Sequence, residues 1–212
     1  MKLCAVAAAI GLAITAPAHA GIVINEIMQN PGAVPDADGE WFELFNTGAS
    51  AVDINGWTIL DNDIDAHVIS ASALVIGAGE FLVLGRNADA ATNGGVTIDY
   101  AFGNSLFIAN GADELILLDD RGTGIDRVEY DGGPQFPDPR GASMALTDAS
   151  ADNNVGASWT TSTNRLGLGD LGTPGACNRD VGQICDAATP VPAPATLLLV
   201  GLASTMHRVR EG

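Results

Sequence analysis

The sequence is poor in positive charge and in histidine. Its 212 residues include a single lysine, Lys2, and three histidines, with 9 basic residues against 26 acidic ones and a net charge of −17. Such an anionic chain repels phosphate backbones, which excludes nucleic-acid binding driven by electrostatics. Only His67 lies away from the two ends of the chain, whereas nucleophilic hydrolases ordinarily use a histidine base. Neither a Gly-x-Ser-x-Gly elbow nor a His-Glu-x-x-His motif occurs, so we do not expect a serine or zinc hydrolase.

Helical periodicity is also missing between the two ends of the chain. Apolar residues make up 47% of the sequence, and 26 glycines and 10 prolines divide them into many short runs. Runs rich in β-branched and aromatic residues recur about every ten residues, which is typical of an antiparallel β-sandwich. The predicted strands lie at residues 22–28, 40–45, 51–60, 73–76, 80–84, 114–118 and 124–130, with weaker candidates at 143–146 and 158–161. We therefore expect an all-β fold.

The first twenty residues have the layout of a secretory signal peptide. Lys2 precedes an apolar run at residues 3–14, and Ala18-His19-Ala20 places small residues at the cleavage positions. We predict cleavage before Gly21. The remaining chain would keep 8 basic and 26 acidic residues, for a net charge of −18 and no lysine.

The other end of the chain has three features in order. A proline motif precedes an apolar run at residues 197–206, which is shorter than the ~20 residues of a membrane span, and arginines follow it. This layout resembles the PEP-CTERM sorting signal of Gram-negative bacteria, which exosortase enzymes recognise and cleave. The sorting motif comprises Val191, Pro192, Ala193, Pro194, Arg208 and Arg210, with Ala193 where the family usually has glutamate. The resemblance implies transient membrane contact through residues 190–212 and a final location at the cell surface, outer envelope or extracellular matrix. The alternative is a frayed, weakly hydrophobic tail.

A series of short motifs runs through residues 21–178. In order, they are 24–27 (INEI), 40–46 (EWFELFN), 52–57 (VDINGW), 79–84 (GEFLVL), 113–119 (DELILLD), 126–130 (DRVEY), 141–144 (GASM), 158–159 (SW) and 172–175 (GTPG) with Asn178. In this order they resemble the lamin tail domain. The resemblance implies an immunoglobulin-like sandwich and no catalytic residues. The core is expected to include Trp41, Phe42, Leu44, Ile54, Trp57, Phe81, Val83, Leu115, Leu117 and Val128.

Two glutamates fall among apolar residues of predicted strands. Strict alternation places Glu26 on one face with Ile22, Ile24 and Met28, and Glu43 on one face with Trp41 and Phe45. Such a pair could act as a glycosidase acid and base. The alternative, which we favour, is that an arginine such as Arg127 or backbone donors hold each carboxylate.

Two acidic loops carry the spacing of calcium ligands. Asp36, Asp38 and Glu40 alternate around the turn residue Gly39. The weaker set is Asp61, Asp63 and Asp65. Calcium prefers six to eight oxygen ligands, and alternating acids in a turn supply several of them. The pattern predicts Ca²⁺ as the only candidate cofactor, and the competing interpretation is solvated acidic loops.

Cys177 and Cys185 are the two cysteines that remain after signal cleavage. Exported compartments are oxidising, so we predict a disulfide between them. It would join the end of the domain to a linker at residues 179–189, just before the tail.

The sequence as a whole favours an exported, non-catalytic binding or structural module. Its expected partners are an exosortase-type processing enzyme and either envelope polysaccharide or another surface protein. The alternative is a carboxylate-based glycan hydrolase or an accessory domain acting on envelope polysaccharide.

Overall fold

Short strands dominate the computed structural model, which describes residues 21–62 and 65–185. In chain order the strands are β1 (Ile22–Met28), β2 (Trp41–Asn46), β3 (Val52–Asp53), β4 (Thr58–Leu60), β5 (Ala66–Val68), β6 (Val75–Ile76), β7 (Phe81–Gly85), β8 (Tyr100–Ala101), β9 (Ala112–Leu118), β10 (Gly124–Asp131), β11 (Met144–Leu146) and β12 (Trp159–Thr161). The helical elements are α1 (Asp36–Gly39) and 3₁₀ turns at Gly156–Ser158 and Arg179–Val181. None of the helices in these ranges has the length and apolar composition to cross a bilayer. The predicted signal peptide and the predicted sorting tail lie outside the described residues.

Two main sheets form the sandwich. The six-stranded sheet has the order β12-β11-β1-β2-β7-β8, and the four-stranded sheet has the order β10-β9-β4-β5. All neighbours are antiparallel except β7 and β8, which are parallel, and β3 pairs with β6 in a small separate sheet. The predicted all-β sandwich is confirmed.

The β9–β10 hairpin shows how local sequence sets this topology. The Asp119 carboxylate accepts hydrogen bonds from the backbone N–H groups of Arg121 (2.9 Å) and Thr123 (2.7 Å). Gly122 adopts a φ of 78°, a left-handed conformation that side chains disfavour. Asp119 and Gly122 therefore close the turn between the two strands.

The core lies between the two main sheets. Nine of the ten predicted core residues are buried, and Phe81 is half-buried and stacks on Phe45 with ring centroids 4.4 Å apart. A smaller cluster of Met28, Trp41, Val83 and Val96 covers part of the opposite face of the six-stranded sheet.

A bulge in β1 changes which residues share a face. The pairing of β1 with β2 shifts between Ile24 and Glu26. Because of this extra residue, Ile24 and Ile27 both enter the main core, whereas Met28 joins the smaller cluster on the opposite face. Glu26 therefore shares a face with Met28 as predicted, but not with Ile22 and Ile24, and that part of the prediction is wrong. Strand β2 pairs without such a shift, so Glu43 lies on the face of Trp41 as alternation predicts.

Candidate functional site

The first acidic loop does not gather its three carboxylates. Asp36 and Asp38 lie in α1, where Asn110 Nδ2 donates to Asp36 Oδ2 at 2.9 Å and Asn87 Nδ2 donates to Asp38 Oδ1 at 3.0 Å. These two acids thus have separate amide partners contributed by different parts of the chain.

The third acid of this loop, Glu40, is buried and forms an ion pair. Arg86 Nη1 lies 3.1 Å from Glu40 Oε2, and the backbone N–H of Ile108 donates to the same oxygen at 3.2 Å. Burial raises the pKa of Glu40 to about 7, although the positive charge of Arg86 opposes the shift. Glu40 therefore fixes the positions of the Arg86 side chain and of the backbone at Ile108.

The second acidic loop is described only in part, because Asp63 lies outside the described residues. Asp65 N–H donates to Asp61 Oδ1 at 3.1 Å, so these two acids close the loop on itself. Within residues 21–62 and 65–185 no group of three His, Cys, Asp or Glu side chains is placed to hold a metal ion. Calcium binding stays a prediction without support from the described geometry.

The carboxylate pair, Glu26 and Glu43, occupies a different place from the loops. The two residues are partners in the pairing of β1 with β2, and each exposes 0% of its surface. Burial raises the pKa of both groups, and the charge of Glu26 raises the pKa of Glu43 further. Both carboxylates face the chain that follows β12.

Glu26 is held by hydroxyl and backbone groups. Ser143 Oγ and Ser162 Oγ lie within hydrogen-bond distance of Oε1, and Thr173 N–H donates to the same oxygen at 2.8 Å. Thr173 Oγ1 is 2.9 Å from Oε2. A Cβ at Gly172 would lie 2.7 Å from Leu166 Cδ2 and 3.1 Å from Glu26 Oε1, so glycine permits this close approach.

Glu43 is held by one side chain and by backbone. Asn25 Nδ2 donates to Oε1 at 2.8 Å, and Gly175 N–H donates to Oε2 at 2.6 Å. Ala176 N–H is a further donor. The prediction that backbone donors hold these carboxylates is confirmed. The arginine alternative is wrong, because Arg127 pairs with Glu129 at 2.8 Å on the surface.

The network continues into the C-terminal segment, defined here as residues 171–185. Gln183 Nε2 donates to Asn25 Oδ1 at 2.6 Å and to the Leu146 carbonyl at 3.0 Å. Part of the predicted linker is thus packed against the six-stranded sheet, with Gln183 only 2% exposed. The predicted disulfide joins Cys177 to Cys185, with the two Cα atoms 5.8 Å apart, and closes this segment into a loop.

Sequence reasoning identified the two glutamates but not the groups that bind them. Ser143 and Ser162 are separated from Glu26 by more than a hundred residues, and no local pattern marks such partners. The resemblance over residues 172–175 and Asn178 did single out part of the segment, although as a closing motif of the fold. Chemically, the arrangement fixes the segment to the sheet, and it leaves no path for a substrate to reach either carboxylate.

An open groove of about 490 Å³ lies beside the β9–β10 hairpin. Asp113, Glu114, Glu129 and Asp131 line it, and the chain near Asn154 forms its other wall. Tyr130 lies buried at its base, where its hydroxyl donates to the Ala109 carbonyl at 2.9 Å and burial raises its pKa. The groove is a concave surface on which a polar ligand could meet several hydrogen-bond acceptors.

Comparison with known proteins assigns the family. The lamin tail domain matches residues 15–132, which is more than half of the chain and includes every strand from β1 to β10. No curated protein matches the chain. Lamin tail domains are immunoglobulin-like and are not known as enzymes. With its sandwich of two antiparallel sheets, the chain belongs to the lamin tail domain family.

Proposed function

We propose that this protein is an exported, non-catalytic module of the cell surface or extracellular matrix of a Gram-negative bacterium. Its lamin tail domain binds envelope polysaccharide or another surface protein, and an exosortase-type enzyme processes its C-terminal tail. The groove beside the β9–β10 hairpin is the proposed contact surface for a polar ligand.

The main observation in support of a non-catalytic role is the burial of the carboxylate pair. Glycosidases need two carboxyl groups that flank a bond of the substrate. Glu26 and Glu43 expose 0% of their surfaces and have the protein's own hydroxyl, amide and backbone groups as partners. A polysaccharide could reach them only if the C-terminal segment left the sheet.

Export and sorting rest on the sequence of the two ends. Lys2, the apolar run at residues 3–14 and Ala18-His19-Ala20 support a signal peptide. The prolines at 192 and 194, the apolar run at residues 197–206 and the two terminal arginines support a sorting signal. The Cys177–Cys185 disulfide suits an oxidising compartment.

Processing can be tested on the full chain in a Gram-negative host with and without an exosortase. We expect the surface form to begin at Gly21 and to lose the residues beyond about Pro194, as read by intact mass and N-terminal sequencing. The double variant Arg208→Ala/Arg210→Ala should block the second cleavage. The matched control, Arg121→Ala/Arg140→Ala, removes two exposed arginines of the domain and should be processed normally. An exported chain that keeps its C-terminal arginines in the exosortase host would contradict the proposal.

Binding and hydrolysis can be separated in one assay. The exported protein is incubated with purified envelope polysaccharide, and co-sedimentation and reducing-end release are both measured. We expect retention without product release, and weaker retention for the groove variant Glu129→Gln than for the control Glu80→Gln, which changes an exposed acid elsewhere. Reducing ends that accumulate in proportion to protein concentration would contradict a non-catalytic role.

A further inference from the structure

The carboxylate pair is unusual because two buried acids lie side by side without a basic partner. No lysine or arginine forms an ion pair with Glu26 or Glu43 in the described part of the chain. Two buried like charges on adjacent strands would repel each other strongly at low dielectric. The hydrogen-bond partners show how the protein avoids this repulsion.

The proton on the Thr173 hydroxyl can be located by following the amide of Asn178. Asn178 Nδ2 lies 3.0 Å from the Asn25 carbonyl and 3.2 Å from the Leu146 carbonyl, so Nδ2 must donate to both. Asn178 Oδ1 is therefore an acceptor, and its partner at 2.6 Å is the Thr173 hydroxyl. Thr173 has one hydroxyl proton, and this contact uses it.

The contact between Thr173 and Glu26 then requires a proton on the glutamate. Thr173 Oγ1 lies 2.9 Å from Glu26 Oε2, and its own proton points to Asn178. An ionised Glu26 would place two acceptors against each other, whereas a protonated Oε2 donates to Thr173 Oγ1. The other oxygen, Oε1, still accepts from Thr173 N–H at 2.8 Å.

The hydrogen-bond partners of Glu43, unlike those of Glu26, favour the ionised form. Gln183 Nε2 donates to Asn25 Oδ1, which orients the Asn25 amide so that Nδ2 donates to Glu43 Oε1. Backbone N–H groups of Gly175 and Ala176 supply the remaining bonds. Burial and the charge of Glu26 raise the pKa of Glu43 well above its ordinary value. Protonation of Glu26 removes the second of these causes, and every partner of Glu43 is a donor, so Glu43 is bound as the carboxylate.

We propose that the carboxylate pair holds a single proton, on Glu26 Oε2. This proton fastens the C-terminal segment to the six-stranded sheet, and its loss at alkaline pH releases the segment. The pair is a pH-sensitive latch on the disulfide loop. The latch controls whether the last described part of the chain, from which the predicted sorting tail continues, is fixed or free.

Other charged groups near this face have partners of their own. Asp99 accepts from Val83 N–H at 2.8 Å, Asp170 accepts from Gly32 N–H at 3.1 Å, and Asp180 accepts from Thr163 N–H at 2.6 Å. The two arginines on the packed chain are Arg165 and Arg179, and both are exposed. Hence Glu26 and Glu43 act mainly on each other, and the latch responds to one proton.

The direction of the pH effect follows from the raised pKa of Glu26, whose largest cause is burial. The folded state binds the proton more tightly than the unfolded chain does. The stabilisation is therefore complete below the ordinary glutamate pKa and is lost as pH rises through the folded-state pKa. Between these two pKa values the equilibrium constant for opening should rise about tenfold per pH unit, and above the folded-state pKa it should level off.

The test compares two isosteric variants of the full chain. Glu26→Gln supplies an amide that donates to Thr173 Oγ1 and an oxygen that accepts from Thr173 N–H, without a proton to lose. Glu43→Gln places an NH₂ group against N–H donors in either orientation. We expect the melting temperature of wild type to fall between pH 6 and pH 10, that of Glu26→Gln to fall clearly less, because only Glu40 and other buried acids still lose their protons, and that of Glu43→Gln to be lowered at every pH. Glu80→Gln, which removes an exposed charge, should follow wild type.

Tryptic cleavage at Arg179 reports on the segment itself, because Arg179 lies exposed within it. The ratio of the wild-type to the Glu26→Gln cleavage rate should rise by at least tenfold between pH 6 and pH 9.5. Use of the ratio cancels the pH dependence of trypsin itself. An infrared difference spectrum at pH 7 should show a protonated-carboxyl band in wild type that Glu26→Gln lacks. Equal destabilisation by Glu26→Gln and Glu43→Gln, a cleavage ratio that stays near one, or absence of that band would overturn the proposal.

Discussion

At the scale of single residues, the buried ion pair of Arg86 and Glu40 offers a direct test of the fold. The two side chains are each 5% exposed, and Arg86 also lies over the Phe107 ring at 4.6 Å from the centroid. Arg86→Met keeps the length of the side chain but leaves the Glu40 carboxylate without its counter-charge. We expect a loss of about 3–5 kcal/mol in the free energy of unfolding, measured with urea at pH 8.

The same variant should be less harmful in mild acid. The pKa of Glu40 is about 7 with Arg86 present, and removal of the positive charge raises it further. At pH 5 the carboxyl group of the variant is protonated, so no unpaired charge stays buried. The surface variant Arg127→Gln is the control, because its pair with Glu129 is 36% and 57% exposed and should contribute less than about 1 kcal/mol. An Arg86→Met variant as mild as Arg127→Gln at pH 8 would contradict this account.

The burial of individual side chains was predictable in strands whose residues alternate regularly between the two faces of the sheet. Strand β2 pairs regularly with β7, and Trp41, Phe42 and Leu44 are buried as expected. Strand β1 contains the bulge, whose position depends on pairing with β2 and leaves no local mark in the sequence. The partners of the two glutamates were not predictable for a related reason. They are serine, threonine and asparagine side chains and backbone N–H groups, brought together only by the fold.

At the scale of elements, the disulfide loop in the C-terminal segment should stabilise the protein by restricting its unfolded chain. Cys177 and Cys185 are eight residues apart, and closing so small a loop is worth roughly 2.5 kcal/mol in the chain-entropy treatment. We expect the double variant Cys177→Ser/Cys185→Ser to lose about that amount, measured by urea unfolding at pH 6, where the latch is closed. Reductant should lower the stability of wild type by a similar amount and leave the double variant unchanged. A double variant that still responds to reductant would contradict the assignment of the effect to this bond.

Strands were predicted best where they are long. The β9–β10 hairpin and strands β1, β2 and β7 each correspond to an apolar run bounded by turn residues. Strand β8 has only two residues, Tyr100 and Ala101, and pairs in parallel with the end of β7. Nothing in so short a run distinguishes a strand from a loop, because the pairing energy comes from the neighbouring strand rather than from local propensity.

At the scale of the whole molecule, the order of the strands depends on contacts between distant parts of the sequence. Strand β1 pairs with β11, more than a hundred residues later, and Asn153 Nδ2 donates to both the Ile24 carbonyl (3.2 Å) and Asp126 (2.7 Å). The resemblance to a known family anticipated this architecture, since it carries the fold as a whole. Composition and periodicity alone predicted the class of fold, but they did not predict that strands from the two ends of the domain pair with each other.

The high negative charge is the property of the whole molecule that bears on calcium. A net charge of −17 makes folding bring like charges together, so any cation that screens them stabilises the native state. Specific calcium binding would add mass-action stabilisation, ~2.7 kcal/mol at a hundredfold excess over Kd. The described geometry favours screening, because Glu40 holds Arg86 and Asp36 and Asp38 have separate amide partners.

We therefore expect calcium and magnesium to raise the melting temperature of the full chain equally at constant ionic strength, relative to a chelator. Magnesium demands a stricter octahedral shell than calcium, so a site built for calcium would discriminate between them, whereas a diffuse ion atmosphere would not. The paired variants Asp36→Asn/Asp38→Asn and Asp61→Asn/Asp65→Asn remove two charges each and should lower both responses alike. The contrary outcome is a larger response to calcium than to magnesium that persists in Asp36→Asn/Asp38→Asn and disappears in Asp61→Asn/Asp65→Asn. That result would place a calcium site in the loop that contains Asp63.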